Sequence, residues 1–488
     1  MTEVASALPV RQPRNPWMPE AVLRRDGYVL AAAWIAALAF GVLLPIAPRT
    51  AVAAFVVIPF ALAAPAASTA VLIAVTVLVP FDLQEAFKVT GGRGEPGLLL
   101  IDALMLLGLL RIGWLLLRKR LPLDLPLLAG AGVGLIYAAA LGWGLVRGWD
   151  VSEAGHEARR AVLGVAAFLL VWPLMANRTA RRRLVWVLIT VGLALGIWGL
   201  AQWLFVVAYT DQGDVGVRAG VDLTSAGRGQ LQGGMYAYPV AVTLAWAALV
   251  MGRIQRVPVK WLLAAILFLN AVCLLVTFER TLWVATVIAC VLVVVMSGGA
   301  AARPALKWAG AGVACMTVLA ALSPGEARSA VERLLSVHEA SSDNSLWARL
   351  AESRYVIEAI HHRPITGSGF GATITWGVRD TFETVTTTFS HNGYLWLSWK
   401  IGIPAAALVV LLIVGAILRR TPGSDTADWR ALRRGSQASL VAVLLICVMF
   451  PVFNALGITA LIGLLVAVAY SGEPEDSAAR AASAGWSL

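Results

Sequence analysis

Long apolar runs alternate with short polar segments along almost the whole chain. The runs recur at 28–47, 50–64, 66–80, 98–117, 127–146, 161–176, 184–208, 236–252, 261–278, 282–299, 308–322, 393–418, 437–453 and 456–471. Many of them approach the roughly 20 apolar residues that a helix needs to cross a bilayer. Because lipid leaves the backbone of other open structures without hydrogen-bond partners, the pattern predicts an all-α polytopic membrane protein.

The number of crossings depends on the stretch 48–80. This stretch contains Pro59, Pro65 and Pro80 and is short for two full crossings. It is compatible with two short spans or with a re-entrant hairpin, whereas a single crossing would place later basic clusters on the wrong side. The sequence therefore predicts 12 to 14 transmembrane helices.

Basic residues cluster at every second junction between apolar runs, as at 118–120, 181–183 and 419–420. The positive-inside rule then places both termini in the cytoplasm. The predicted divisions are a cytoplasmic N-terminal segment (1–27), transmembrane helices with short loops (28–322), one large structured periplasmic or extracellular loop (323–391), C-terminal transmembrane helices (392–471) and a flexible cytoplasmic tail (472–488).

Composition narrows the possible functions. Hydrophobic residues make up 59% of the chain and charged residues only 14%, which excludes an ordinary soluble enzyme. The net charge of +11 follows from the basic junctions, so no nucleic-acid partner is expected. The four cysteines lie inside apolar runs without metal-ligand spacing, so the sequence predicts neither a disulfide framework nor a zinc site.

Three positions on the non-cytoplasmic side carry candidate chemistry. His391 lies where the large loop meets the next span, and an imidazole there can act as a base. Arg280, next to Glu279, lies between two apolar runs with almost no loop, and such charges usually face a cavity. Arg228, and less strongly Arg218, could bind phosphate oxygens through a planar guanidinium. The structural alternatives are an interfacial histidine, a self-satisfied Glu279/Arg280 pair and ordinary loop arginines.

The large loop is predicted to contain a helix that ends before Pro364. Its apolar face would consist of Leu346, Leu350, Ser353, Ile357 and Ile360, with pairs such as Arg349/Glu352 beside it. The glycines at 367–371 predict a turn, because the segment lacks the lysine of a phosphate-binding loop. Lys400 lies on roughly the opposite helix face from His391 and could snorkel or pair with a neighbouring helix.

The order of these motifs resembles the O-antigen ligase and Wzy-type polymerase superfamily. The resemblance rests on Leu346-Trp347-Ala348-Arg349, on Pro364-x-x-Gly367-x-Gly369-x-Gly371, on Ser390-His391-Asn392-Gly393-Tyr394-Leu395 with Gly402, and upstream on Glu279-Arg280-Thr281-Leu282-Trp283 and Arg228 to Pro239. Two departures are the Met235–Pro239 stretch, which leaves open whether Arg228 or Arg218 fills the loop-arginine role, and the acid Glu279 before Arg280.

The resemblance implies a membrane glycosyltransferase of the C-type fold in the bacterial cytoplasmic (inner) membrane. It would move a glycan from a polyprenyl (undecaprenyl) diphosphate carrier onto an acceptor hydroxyl with inversion, without a metal or another cofactor. His391 would be the base, with Arg280 and Arg228 on the diphosphate. Arg218, Glu279, Arg349, Asn392 and Tyr394 would bind substrate.

Several alternatives stay open at this stage. The acceptor could be a growing glycan, as for a polymerase, or a glycolipid or protein, as for a ligase. A transporter or flippase for lipid-linked glycans also needs many spans and cavity arginines. Against it stands the lack of matched broken helices in two halves of the chain.

Overall fold

The computed structural model describes residues 65–78, 100–118, 121, 123–176, 178–205, 235–252, 254, 256–277, 279–322, 344–377, 384–420 and 426–472. These ranges are mostly helical. The helices are α1 (Pro65–Leu78), α2 (Leu100–Leu117), α3 (Leu125–Val146), α4 (Val151–Val171), α5 (Arg178–Phe205), α6 (Ala237–Met251), α7 (Val257–Val276), α8 (Arg280–Ser297), α9 (Ala302–Leu322), α10 (Asn344–His362), α11 (Gly393–Ile401), α12 (Ile403–Leu418), α13 (Ala427–Ile446) and α14 (Leu456–Tyr470). Short 3-10 turns span Trp172–Ala176, Gly299–Ala301 and Val452–Asn454.

Five stretches of helix in these ranges are long and apolar enough to cross a membrane. They are Leu125–Val146, Val151–Ala176, Ala180–Ala201, Val257–Val276 and Arg280–Ser297. Shorter apolar helices, including α6, α12 and α14, accompany them. The prediction of a mostly helical membrane protein is therefore confirmed, while the count of 12 to 14 spans and the orientation of the termini stay predictions.

Helix α14 lies at the centre of the bundle, and almost all of its residues are buried. It packs against α4, α13 and α1. A Cβ added at Gly463 would meet the backbone oxygen of Gly164 on α4. Small residues let helix backbones approach closely in a membrane, so this glycine pair brings α4 and α14 together.

Polar caps define where several helices begin. Asp124 accepts a hydrogen bond from Leu127 N at 3.0 Å at the start of α3, and Asp150 accepts one from Glu153 N at 2.9 Å at the start of α4. Such side chains satisfy N–H groups that have no partner inside the helix. The second cap starts α4 at Val151, ten residues before the apolar run predicted at 161–176, so polar residues form its first turns.

The predicted apolar run 393–418 forms two helices. The break lies at Gly402, whose φ of 84° suits a glycine and whose added Cβ would meet Ile365 O. Ile403 N donates to Pro364 O at 2.7 Å across the break. The expectation of one continuous span is wrong here, because the loop segment after Pro364 packs against this point of the helix.

Helix α10 confirms the helix predicted in the large loop and its end before Pro364. The predicted apolar face is not buried as a whole, since Leu350 is 47% exposed and Ile357 is 41% exposed. The buried stripe consists of Glu352, Val356 and Ile360 at spacings of four. A carboxylate therefore occupies a position that hydrophobic periodicity assigns to an apolar residue.

After α10, the described residues of the loop contain the glycine turn and two paired strands. Strands β1 (Ile374–Gly377) and β2 (Thr384–Thr387) pair antiparallel, with Ile374 opposite Thr387. The turn at 367–371 packs against the end of α3, the start of α4 and α11. The turn therefore lies where α3 ends, α4 begins and α11 ends.

Candidate functional site

His391 and Glu352 form a close pair just before the start of α11. His391 Nδ1 lies 2.6 Å from Glu352 Oε2, and His391 N donates to Glu352 Oε1 at 2.7 Å. The side chain of Glu352 is 3% exposed, whereas that of His391 is 33% exposed. The carboxylate is thus buried behind the imidazole, and the ring remains partly exposed.

The backbone around His391 is fixed from both sides. Asn392 Oδ1 accepts hydrogen bonds from Tyr394 N and Leu395 N, both at 3.0 Å, and so caps α11. Gly393 N donates to Cys447 O at 2.7 Å at the end of α13. Tyr394 donates its hydroxyl to Leu444 O at 2.6 Å. These contacts place Asn392 and Tyr394 next to the predicted base; their role in substrate binding stays a prediction.

The junction at Glu279 is as short as the sequence predicts. Helix α7 ends at Val276 and α8 begins at Arg280, with Glu279 half-buried between them. Trp283 donates its indole N–H to Leu274 O at 2.7 Å, which ties the two helices together across the junction. Both Glu279 and Arg280 are therefore carried by rigid helix ends.

Phe450 contacts the loop helix and lies close to Gly393, two residues after His391. The guanidinium carbon of Arg349 lies 5.4 Å from the centre of the Phe450 ring, and the Tyr236 ring meets the same ring edge-on at 5.5 Å. A Cβ at Gly393 would lie 2.9 Å from Phe450 O. The residues Tyr236, Glu279, Arg349 and Phe450 are called the Phe450 cluster below.

Electrostatics places both charges of this cluster near one phenol. Glu279 and Arg349 both interact electrostatically with the hydroxyl of Tyr236. Arg349 Nε is buried and has no hydrogen-bond partner within the described part of the chain. The Phe450 cluster therefore presents a cation with an unused donor close to the turn that carries His391.

Not every predicted site residue can be placed. Arg218 and Arg228 fall in the range 206–234, outside the described residues. Tyr236, two residues beyond this range, lies in the Phe450 cluster.

Sequence reasoning missed Glu352, Phe450 and Tyr236 as site residues. The sequence pattern pairs Glu352 with Arg349, three residues earlier on the same helix, beside the predicted apolar face. Its spacing of four from Val356 and eight from Ile360 is the signal that could have placed it on the buried face. Phe450 and Tyr236 give no such signal, because aromatic residues are common at the ends of apolar runs.

A second pair joins α4 to α11 on the side away from His391. Lys400 Nζ lies 2.9 Å from Glu157 Oε2 and donates to Ala372 O at 2.7 Å. Glu157 also accepts from Gly371 N at 2.7 Å and from Trp396 Nε1 at 3.3 Å. Of the two alternatives for Lys400, snorkelling and pairing with a neighbouring helix, the structure shows the second, and both side chains are almost fully buried.

The glycine turn links this buried pair to the bundle. Gly367, Gly369 and Gly371 have φ values of 68°, 83° and 81°, which glycine adopts without strain. Ser368 N and Gly369 N donate to the last carbonyls of α11, at 2.8 Å and 3.0 Å. Phe370 N donates to Ala140 O of α3. The prediction that this segment is a turn is confirmed.

An apolar cavity of about 640 Å³ lies between α3, α4, α12 and α14. Tyr137, Phe168, Ile413 and Phe453 contribute to its walls. None of the predicted site residues described here lines it, so the cavity is separate from the His391 site.

The fold and the site together define a multi-pass membrane protein with a partly exposed imidazole paired with a buried carboxylate. The family model Wzy_C, described as O-antigen ligase, matches residues 263–410. This stretch of the chain is therefore similar to the O-antigen ligase family, which confirms the resemblance found in the sequence. It includes Glu279, Arg280, Arg349, Glu352 and His391. No curated protein matches the chain.

The family gives the coarse function. The match to the O-antigen ligase family, together with the apolar helices, supports a multi-pass membrane protein with a glycosyltransferase-like function in polysaccharide biosynthesis.

Proposed function

We propose that the protein transfers a glycan from a polyprenyl (undecaprenyl) diphosphate carrier onto a hydroxyl of an acceptor, as an O-antigen ligase or a polysaccharide polymerase. The observation that carries the proposal is the exposed imidazole of His391, held by Glu352 next to a cluster that contains Arg349 and Glu279. A base beside cations is the combination that glycan transfer from a diphosphate requires.

His391 acts as the base. The imidazole takes the proton of the acceptor hydroxyl while the hydroxyl oxygen attacks the anomeric carbon of the donor. The new glycosidic C–O bond forms as the bond to the carrier phosphate breaks, and the electron pair leaves with the diphosphate. Attack opposite the leaving group inverts the anomeric configuration, and the proton stays on the imidazole until solvent removes it.

The arginines hold the leaving diphosphate. Arg349 offers its buried Nε, and Arg280 stands at the start of α8 beside Glu279. Arg228 or Arg218 supplies a further cation from the segment before Tyr236. Guanidinium groups keep their charge in a site of low dielectric constant and bind phosphate oxygens with paired hydrogen bonds. Glu279, Asn392 and Tyr394 contact sugar hydroxyls.

The proposed site faces the periplasm or the extracellular space. The basic junctions support this orientation, because they favour a cytoplasmic location for the ends of the spans opposite the large loop. The reaction proceeds without a metal, so added chelator leaves the transfer rate unchanged. Loss of transfer in chelator, restored by a divalent cation, would contradict this part of the proposal.

The test is reconstitution of the purified protein in liposomes. A deletion strain identifies the missing polymer, and its undecaprenyl diphosphate-linked precursor is then supplied alone or with a glycolipid extract of the membrane. Release of free undecaprenyl diphosphate together with a longer or transferred glycan supports the proposal. Product from the precursor alone indicates a polymerase, and product that needs the extract indicates a ligase.

His391→Asn is the decisive variant. The asparagine amide can replace the Nδ1 donor to Glu352 but offers no base at the position of Nε2. Transfer should fall by about 100-fold or more. The matched control is His361→Ala, on the exposed end of α10. Transfer by His391→Asn at the wild-type rate, or movement of the intact donor across the bilayer without cleavage, would contradict the proposal; the second result indicates a flippase.

A further inference from the structure

We infer that Glu352 is a positioning residue that holds His391 in the tautomer whose Nε2 is free to accept a proton. The inference rests on the proposed function, because it explains how His391 becomes the base of that reaction. Its starting point is the pair of contacts between Glu352 and residue 391, one to the side chain and one to the backbone.

An ionised carboxylate can only accept hydrogen bonds. The 2.6 Å contact between His391 Nδ1 and Glu352 Oε2 therefore requires the proton of the neutral imidazole to lie on Nδ1. The other ring nitrogen, Nε2, is then an unprotonated acceptor. A histidine bound in this way through one nitrogen is set up to take a proton at the other.

The orientation of the His391 ring is also fixed by its neighbours. Phe389 meets the imidazole edge-on, with ring centres 4.9 Å apart and an angle of 85° between the planes. Glu352 is buried on α10 together with Val356 and Ile360, so the carboxylate position depends on the docking of α10 beside α11. The loop helix thus completes the site by bringing the carboxylate to the histidine.

When the imidazole takes a proton, the Glu352 carboxylate compensates the new positive charge. When Nε2 takes the acceptor proton, the ring becomes an imidazolium whose charge is next to the Glu352 carboxylate. The carboxylate does not take the proton; it stabilises the cation and keeps the ring oriented, and the proton leaves later from Nε2 to solvent.

Glu352→Gln is the sharpest test, because the backbone N–H of His391 can only donate. The glutamine oxygen must therefore face His391 N, and its NH₂ group must face Nδ1. This arrangement keeps both contacts and the shape of the side chain, but it makes Nδ1 an acceptor and moves the ring proton to Nε2. The variant then folds normally and lacks the base.

Glu352→Asp separates positioning from simple structural support. Aspartate keeps the carboxylate and the correct tautomer but is one methylene shorter. If Glu352 only braced the backbone, the isosteric glutamine would retain more activity than aspartate. We expect the reverse order, with kcat lowered about 100-fold or more by Glu352→Gln and clearly less by Glu352→Asp, while KM for the lipid-linked donor changes little. Glu358→Gln, on the exposed face of α10, is the matched control.

The tautomer can be measured without activity. The chain has five histidines, so ¹⁵N-histidine labelling gives few signals, and His391→Asn assigns the one of interest. In mildly alkaline buffer, the wild-type protein should show a protonated Nδ1 and an unprotonated Nε2 at His391, and Glu352→Gln should show the opposite. A protonated Nε2 in the wild-type protein would overturn the inference.

The kinetic outcomes distinguish the inference from the proposed function. If His391→Asn abolishes transfer while Glu352→Gln transfers at the wild-type rate, the positioning role is wrong and the base assignment stands. If His391→Asn itself transfers at the wild-type rate, the proposed function of His391 is wrong. Loss of transfer in both variants, with partial activity in Glu352→Asp, supports both.

Discussion

The segment around helix α11 carries an acid–base pair at each end, and the two pairs differ chiefly in their access to water. At the start, Glu352 binds the side chain and the backbone N–H of His391. At the other end, Glu157 binds the side chain of Lys400 and the backbone N–H of Gly371. Each glutamate thus contacts one basic side chain and one backbone N–H group.

Exposure decides what each pair can do. The His391 side chain is 33% exposed, whereas that of Lys400 is 0% exposed. Lys400 uses its donors on Glu157, Ala372 O and the face of Trp399, 3.9 Å away. A group whose donors are all used inside the protein stabilises the fold, whereas an exposed ring with one bound nitrogen can still react. Two similar acid–base pairs can therefore have different roles. The buried pair stabilises the fold, and the exposed pair can take part in a reaction.

The largest expected effect comes from breaking the buried pair. Lys400→Ala leaves the Glu157 carboxylate without its cation, which should lower the free energy of unfolding by about 3–5 kcal/mol. The measurement is the thermal unfolding midpoint of detergent-solubilised protein, and Lys260→Ala, at an exposed position, is the control. Replacing both partners, as Glu157→Gln with Lys400→Met, should cost clearly less. An unchanged midpoint in Lys400→Ala would show that the pair does not stabilise the fold.

Breaking the exposed pair should lower the transfer rate and leave the free energy of unfolding nearly unchanged. His391→Asn is expected to lower the transfer rate about 100-fold or more while the free energy of unfolding changes by less than about 1 kcal/mol, because a hydrogen bond to Glu352 remains. Rate and unfolding midpoint are measured on the same preparation. A large loss of stability would mean that His391, like Lys400, mainly supports the fold.

The glycine turn tests whether the two pairs depend on each other. Gly369 has a φ of 83°, and an added Cβ would lie 2.6 Å from Gly144 N. Gly369→Ala should therefore cost about 1–3 kcal/mol in unfolding free energy and also lower transfer, since the turn holds the loop on the bundle. Gly377→Ala, where an added Cβ meets nothing within 4 Å, is the control. Normal stability and transfer in Gly369→Ala would separate the turn from the site.

The smallest effect is expected at Arg349. Arg349→Lys keeps the positive charge but loses the planar guanidinium above Phe450 and the Nε donor. We expect a several-fold rise in KM for the lipid-linked donor, equivalent to about 1 kcal/mol of binding, with little change in stability. Arg354→Lys, exposed on the same helix, serves as the control. An unchanged KM would remove Arg349 from the proposed diphosphate site.

Much of the secondary structure could be predicted from local pattern. The apolar run at 127–146 corresponds to α3, and the loop helix ends before Pro364 as expected. The break at Gly402 was missed, because an apolar run with one glycine is equally compatible with a continuous helix. The break is caused by the segment after Pro364, which is distant in the sequence but packs against Gly402.

The candidate site was only half predictable. His391 and the Glu279–Arg280 junction stand out in sequence as polar residues at the edges of apolar runs. Glu352 does not, because its charge suggested the surface of α10 and its partner lies 39 residues away in sequence. Glu157 and Lys400 are separated by more than 200 residues, so sequence could indicate only that Lys400 needs a partner.

By itself, the sequence determined that this is a helical membrane protein and which residue types stand at the ends of its spans, because hydrophobicity and helical period are properties of neighbouring residues. Only the tertiary structure decided which carboxylate meets His391, which meets Lys400 and which of the two pairs faces water. Those contacts depend on how helices distant in the chain pack together, and packing sets both distance and exposure.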